Sequence, residues 1–332
     1  MTSRPAREPR PVRAVAPAEL PGVPPARLPL KIVGAAADWP AARWTFPALR
    51  AQAGDRRITA LTGLPRHGGA LPGGQRSYER RMPLADFIDL AHRAGEPPCY
   101  LGYTRPADVL AGLEHGLAFG PLAAALAPAA AGRPSPRRRS GPRPGAAGDG
   151  GTDTRLWIGS AGTCSGLHSD LKDNVFVQLA GTKRVLLVPF AQSRLVYPFV
   201  DNLVNSRVDP ENWDAGQFPA YGRATVYRTV VRPGDALFIP RGWWHHLRSQ
   251  EPSISANHWF GPAITDAEYL RLLVGLGPRH VGRALADLVR YRKPGRRHDP
   301  DFFFSPPPTG ERLLSLVRHG SFSRDNDPAL DA

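Results

Sequence analysis

Two short segments, far apart in the chain, constrain its fold more than anything else in it: Leu167-His168-Ser169-Asp170 and Trp243-Trp244-His245-His246. On a β-strand the histidine and aspartate of a His-x-Asp pair project to the same face, because side chains alternate with a period of two. Two histidines and one carboxylate on one face form half of an octahedron around non-haem Fe(II) and leave three positions open. The third donor must then come from a distant strand. The turn Pro233-Gly234-Asp235 and the apolar run Ala236-Leu237-Phe238-Ile239 lead straight into the second segment. This implies a β-barrel carrying a non-haem Fe(II) centre of the oxygenase type. His245 and His246 compete for the third position, and on a strand only one of them can face the metal.

The rest of the chain fits one large domain with additions. Proline (37) and glycine (34) are abundant, which predicts long irregular segments. Residues 1–27, rich in Pro, Arg and Ala, are expected to be a disordered basic tail. Short helices are expected at 46–49 and 83–92, with a loop at 63–74. Strands are expected at 31–33, from 155 onward, and at 175–179, 184–188, 225–231, 236–239 and 254–259. Residues 128–153 form a low-complexity insertion just ahead of the barrel strands. After Pro262 the pattern turns helical. Thr265-Asp266-Ala267-Glu268 reads as a capping box, Val281, Leu285, Leu288 and Val289 form one stripe, and Thr309 opens a third helix. The expected organisation is a tail (1–27), a catalytic domain (28–262) and a C-terminal helical region (263–332).

The net charge of +14 invites a nucleic-acid reading, so its location matters. Segments 1–27, 128–153 and 277–298 carry +3, +3 and +6, which together hold 12 of the 14 charges. The barrel itself is nearly balanced, and no zinc finger, helix-turn-helix or interleaved aromatic-basic motif accompanies the charge. Nucleic acid is therefore not the expected partner. Two cysteines, Cys99 and Cys164, are too few for a disulfide framework. With no apolar signal core at the N-terminus and no stretch long enough to span a bilayer, a reducing cytoplasm is the expected compartment.

Further blocks surround the His-x-Asp pair: Asp173-Asn174-Val175-Phe176-Val177-Gln178-Leu179-Ala180-Gly181-Thr182-Lys183, Arg232-Pro233-Gly234-Asp235 through His246, and Ser253-Ile254-Ser255-Ala256-Asn257-His258-Trp259-Phe260. In this order, and with upstream Asp38-Trp39-Pro40 and Met82-Pro83-Leu84, they closely resemble the cupin-like JmjC family of Fe(II)- and 2-oxoglutarate-dependent hydroxylases, asparaginyl hydroxylases included. The resemblance covers roughly residues 28–262. It implies a mainly β fold, a double-stranded β-helix (jelly-roll or cupin) barrel with flanking and C-terminal helices. Its metal ligands would be His168, Asp170 and His245, since the alignment selects His245 over His246.

The resemblance also implies Fe(II) as metal, with 2-oxoglutarate and O2 as co-substrates and succinate and CO2 as co-products. Lys183 matches the residue that holds the distal carboxylate of 2-oxoglutarate, and a lysine inside a barrel needs such an anion. Tyr100, Ser165, Asn174 and Asn257 match positions lining the co-substrate or metal pocket, with Tyr103 a rival to Tyr100. Trp259 matches an aromatic near the mouth, where it would touch substrate, with a simple core role the alternative. The expected substrate is a peptide, a protein side chain or a small metabolite. A non-catalytic metal-binding cupin is the alternative. The helix around Leu313 has no evident partner within the chain, and similar hydroxylases pair through C-terminal helices, so a homodimer is expected.

Overall fold

The structure, a computed structural model, describes residues 8–22, 27–66, 75–127, 153–292 and 307–319. Eight strands carry the architecture: β1 (Asp153–Gly159), β2 (His168–Ser169), β3 (Asp173–Ala180), β4 (Lys183–Val188), β5 (Tyr227–Val231), β6 (Ala236–Ile239), β7 (Trp244–Ser249) and β8 (Ser253–Phe260). They divide between two sheets in the orders β5-β4-β7-β2 and β6-β3-β8-β1, the double-stranded β-helix arrangement. All pairings among these eight are antiparallel. The sheets face each other: Phe176, Leu237 and Ile239 from one pack with Val185, Leu187, Val231 and Leu247 from the other.

The second sheet has a further apolar face. Alternation sends Leu156, Ile158, Val175, Val177, Ile254, Ala256 and Phe260 outward from the barrel. Helices Phe46–Ala53, Leu84–His92 and Phe119–Leu126 cover that face with Leu49, Leu84, Phe87 and Phe119. Each such side chain, taken wholly out of water, contributes about 1.5–3 kcal/mol. The sheet is widened beyond β1 by strands Tyr100–Thr104, Arg57–Leu61 and Glu79–Pro83. None of the three was read as a strand from the sequence; in the last two, Arg57, Arg80 and Arg81 interrupt any apolar alternation.

The expectation of a disordered tail over 1–27 needs correction for residues 8–22. Arg10–Pro11 pairs in parallel with β5, and Arg13–Val15 pairs in parallel with Leu30–Ile32, which itself borders β6. One segment thus closes an edge of each sheet, and Val12 and Val15 are buried in doing so. Composition suggested disorder, but short parallel edge strands draw their order from distant neighbours rather than from local propensity. The insertion expected at 128–153 lies outside the described residues except for Asp153, which opens β1.

Three helices follow the barrel: α1 (Asp266–Leu276), α2 (Pro278–Tyr291) and α3 (Thr309–His319). The capping box at Thr265 is present, with Glu268 and Thr265 each bonding the other's backbone N–H. The expectation that α3 lacks an intrachain partner is corrected. Leu313 packs with Tyr269, Leu273, Ala284, Leu171, Leu203 and Val204, and Thr309 N–H donates to Asp201 O at 2.8 Å. These contacts run to α1, to α2 and to the segments around Leu171 and Leu203, a pairing that helical periodicity alone does not reveal. Among the described residues, no helix is long and apolar enough to cross a membrane.

Candidate metal centre and co-substrate site

β2 and β7 are adjacent and antiparallel, with His168 directly opposite His245. Both imidazoles therefore project from the same face, and their ring centroids lie 4.2 Å apart. Asp170, two residues beyond His168, joins them from the end of β2. One donor atom from each of His168, Asp170 and His245 lies within 4.8 Å of the others. On β7 the alternation sends His245, Leu247 and Ser249 into the barrel, whereas His246 faces outward with Trp244 and Arg248. Behind the sheet, His246 Nε2 sits 3.7 Å from Glu211 Oε2.

The donors are oriented as a metal requires. His168 Nδ1 lies 3.2 Å from Gly166 O, and His245 Nδ1 lies 3.0 Å from Trp243 O. A carbonyl only accepts, so each Nδ1 carries the proton and each Nε2 keeps its lone pair. Burial, followed by the neighbouring His245, holds the His168 imidazole below its ordinary range and hence neutral. Asp170 Oδ2 accepts from Asn174 Nδ2 at 2.8 Å, while Oδ1 is buried with no hydrogen-bond partner. A buried carboxylate oxygen in that state is costly unless something cationic fills the gap. His245 Nε2 lies 3.5 Å from Asp170 Oδ2, and two imidazole nitrogens with one carboxylate oxygen are a donor set that suits Fe(II).

Lys183 begins β4 immediately after the turn at Gly181. That glycine has φ of 69°, and a Cβ there would lie 2.2 Å from Pro252 O. The Lys183 side chain enters the barrel, where it is 2% exposed. Its Nζ donates to Ser255 Oγ at 2.8 Å and lies over the Tyr100 and Phe176 rings. Among the described residues no carboxylate reaches it. Burial alone brings its pKa down to about 7. A buried ammonium without an anion is the counterpart of an unfilled carboxylate site, and it suits the distal carboxylate of 2-oxoglutarate.

The other expected residues divide. Asn174 on β3 and Asn257 on β8 meet beside Asp170, with Asn257 Nδ2 donating to Asn174 Oδ1 at 3.2 Å. The structure sets Tyr100, not Tyr103, against Lys183, and Tyr100 also stacks on Trp157 with centroids 5.7 Å apart. Tyr103 lies further along, 5.8 Å from Trp259 and beneath the Arg155 guanidinium. Ser165 Oγ accepts from Leu247 N–H and donates to Gly166 O, so these contacts hold the chain ahead of His168 against β7. Trp259 shares the inward face of β8 with Ser255 and Asn257 and is 6% exposed. Sequence reasoning passed over Trp157 and Ser255. The available signal was the alternation in Arg155-Leu156-Trp157-Ile158 and Ser253-Ile254-Ser255-Ala256-Asn257, which places both on the inward face.

Comparison with known proteins identifies the family. Residues 23–266 match the model of the cupin-like domain. The chain is 34% identical over 113 residues to Jumonji C domain-containing protein 5 of Drosophila melanogaster, covering 33% of this chain and 28% of that protein. It is 36% identical over 106 residues to lysine-specific demethylase 8 of Xenopus tropicalis (31% and 24%). To the HSPB1-associated protein 1 homolog of Danio rerio it is 37% identical over 122 residues (35% and 27%). The matches thus span about a quarter of the length of these relatives. Members of this family use Fe(II), with 2-oxoglutarate and O2 as co-substrates, and the triad and Lys183 fit those groups. The chain belongs to the cupin-like JmjC family of Fe(II)- and 2-oxoglutarate-dependent oxygenases.

Proposed function

We propose that this oxygenase hydroxylates a C–H bond of a peptide or protein side chain, or of a small metabolite. The observation that carries the reading is the buried Lys183 ammonium within the same barrel as the His168, Asp170 and His245 donor triad. When bound, Fe(II) with 2-oxoglutarate and O2 supplies an oxidant strong enough for an unactivated C–H bond, with succinate and CO2 as co-products. The chain's own work is positional. His168, Asp170 and His245 hold one face of the metal and leave the rest open, and Lys183 fixes one end of the keto acid. Tyr100 and Phe176 keep water from the lysine. Trp259 and Tyr103, on the inward face beyond Asn257, are the candidates for substrate contact. The free thiols of Cys99 and Cys164 and an oxidisable metal both suit a reducing cytoplasm.

The test is direct. Protein purified without oxygen and loaded with Fe(II) and 2-oxoglutarate is offered peptide and metabolite pools, and products are read by mass spectrometry. A gain of one oxygen atom supports hydroxylation. Loss of a methylene, with formaldehyde released, would instead mark a demethylase. Metal binding with no succinate formed would mark a non-catalytic cupin.

Lys183 provides a second test, on the co-substrate alone. A charge-assisted hydrogen bond to a buried carboxylate is worth on the order of 1.5–3 kcal/mol, so Lys183→Ala should weaken 2-oxoglutarate binding roughly tenfold to a hundredfold while metal binding persists. The pH dependence has a definite sign. The free lysine is held near pKa about 7, and only its charged form attracts a carboxylate. Affinity in the parent protein should therefore fall as pH rises above 7, with proton uptake on binding, and Lys183→Ala should flatten that slope. Calorimetry in buffers of different ionisation enthalpy measures both.

We also propose a homodimer through the C-terminal helices. Val274 of α1, Leu285 and Val289 of α2 and Val317 of α3 are 67%, 55%, 65% and 74% exposed, although α3 is docked within its own chain. Val289→Asp should convert a dimer to a monomer in light scattering while the far-UV circular dichroism stays that of the parent. A monomeric parent at micromolar concentration would discard the idea.

A further inference from the structure

A line of hydrogen bonds runs from Trp157 to the metal site. Trp157 Nε1–H donates to Asn257 Oδ1 at 2.7 Å, Asn257 Nδ2 donates to Asn174 Oδ1 at 3.2 Å, and Asn174 Nδ2 donates to Asp170 Oδ2 at 2.8 Å. The line crosses three strands, β1, β8 and β3, before reaching the residue just past β2. Asn257, Asn174 and Asp170 are 2%, 4% and 2% exposed, so solvent does not stand in for a missing partner.

The polarity of this line is set at both ends, which agree: the Asp170 carboxylate only accepts, and the indole only donates. An amide side chain can present either its oxygen or its NH2 to a neighbour, and two adjacent amides could run in either sense. An indole N–H can only donate. Trp157 therefore fixes Asn257 with its oxygen toward the indole and its NH2 toward Asn174. Asn174 must then show its oxygen to Asn257 and its NH2 to Asp170. Reversed, Asn174 would turn its oxygen on the carboxylate, a buried repulsion between two acceptors.

We propose that Trp157 is a positioning residue for the metal-binding carboxylate: its indole N–H orients Asn257 and Asn174 so that an amide donor holds Asp170 in place beside the two histidines. The proposal rests on the reading of His168, Asp170 and His245 as ligands. It concerns only how the aspartate is held, and it assigns Asn257 and Asn174 a task that binding of the co-substrate does not require.

Cobalt(II) titration tests it without turnover, because the visible absorption of Co(II) reports both affinity and ligand arrangement. Removing the partner of a ligating group commonly costs about 10–100-fold in metal affinity. Asn174→Leu should fall in that range. Trp157→Phe keeps a ring against Tyr100 and loses the N–H together with part of the indole's volume, which the double-mutant cycle separates. It should weaken Co(II) binding roughly tenfold and shift the spectrum in the same direction as Asn174→Leu. The decisive result is a double-mutant cycle. With Asn174 already leucine, Trp157→Phe should cost nothing more. Unchanged Co(II) affinity in Trp157→Phe, or an equal loss in both backgrounds, would overturn the proposal. If Trp157→Phe does not fold, Asn257→Leu breaks the line one bond nearer and must behave the same way in the cycle. If Asn174→Leu binds no cobalt, Asn257→Leu serves as the background. A parent protein that binds no Co(II) would instead refute the ligand assignment, which separates the two failures.

Discussion

Alanine at His168, Asp170 or His245 is expected to lower Fe(II) affinity by more than about 100-fold, the upper range for losing a mere partner of a ligand, and to abolish 2-oxoglutarate turnover. Only two protein donors would remain on a face built for three. Alanine at the adjacent His246 is expected to leave metal affinity within a few-fold of the parent. The contrast follows from strand alternation: His245 lies opposite His168 inside the barrel, and His246 points away toward Glu211. Anaerobic Fe(II) titration of the four variants settles it. Iron lost by His246→Ala and kept by His245→Ala would reverse the assignment.

The largest expected effect on stability lies behind that same strand. Glu211 accepts from Arg184 Nε at 2.8 Å and pairs with Arg248 and His246, its side chain 10% exposed. Burial pushes the carboxyl up, but His246, Arg184 and Arg248 outweigh it and hold the pKa down at about 2. Removing one member of a buried ionic group leaves the others uncompensated, so Glu211→Ala should cost on the order of 3–5 kcal/mol. The group also titrates with a predictable sign. Its folded pKa lies below the ordinary 4.5, so its contribution is complete above pH 4.5 and is lost as the pH falls toward 2. Urea melts of parent and variant should converge in acid across that interval. Melts that stay parallel down to pH 2 would show that Glu211 is not the anchor of the cluster.

The legibility of this protein in its sequence varies with the distance over which each feature is decided. The ligands were readable because two of them share one strand, and Lys183 because it follows a turn at fixed spacing. Strands β3, β4, β6 and β8 were readable from apolar runs that each end in turn residues. The ordered segment around Arg10 and Val15 was not, since nothing in Arg10-Pro11-Val12-Arg13 favours a strand until β5 and Leu30–Ile32 lie beside it. The partners of α3 escaped for the same reason: Leu203 and Val204 belong to a loop with no periodicity to announce it. Trp157 was seen only as the start of a strand. Its link to Asp170 depends on register across four chain segments, and register is a property of the assembled sheet.

The strands at Arg10–Pro11 and Arg13–Val15 have a consequence for how the chain comes to be folded. They precede every barrel strand in the chain, yet Arg10 pairs with Tyr227, which is made only after half of those strands. Contacts this distant in sequence slow folding, because a long loop must close before any bond rewards it. On the ribosome this segment must wait, and until it docks both sheets keep an open edge able to pair with another chain. Residues made ahead of the barrel are thus among the last to find their place, and the interval before they dock is one of exposure to aggregation.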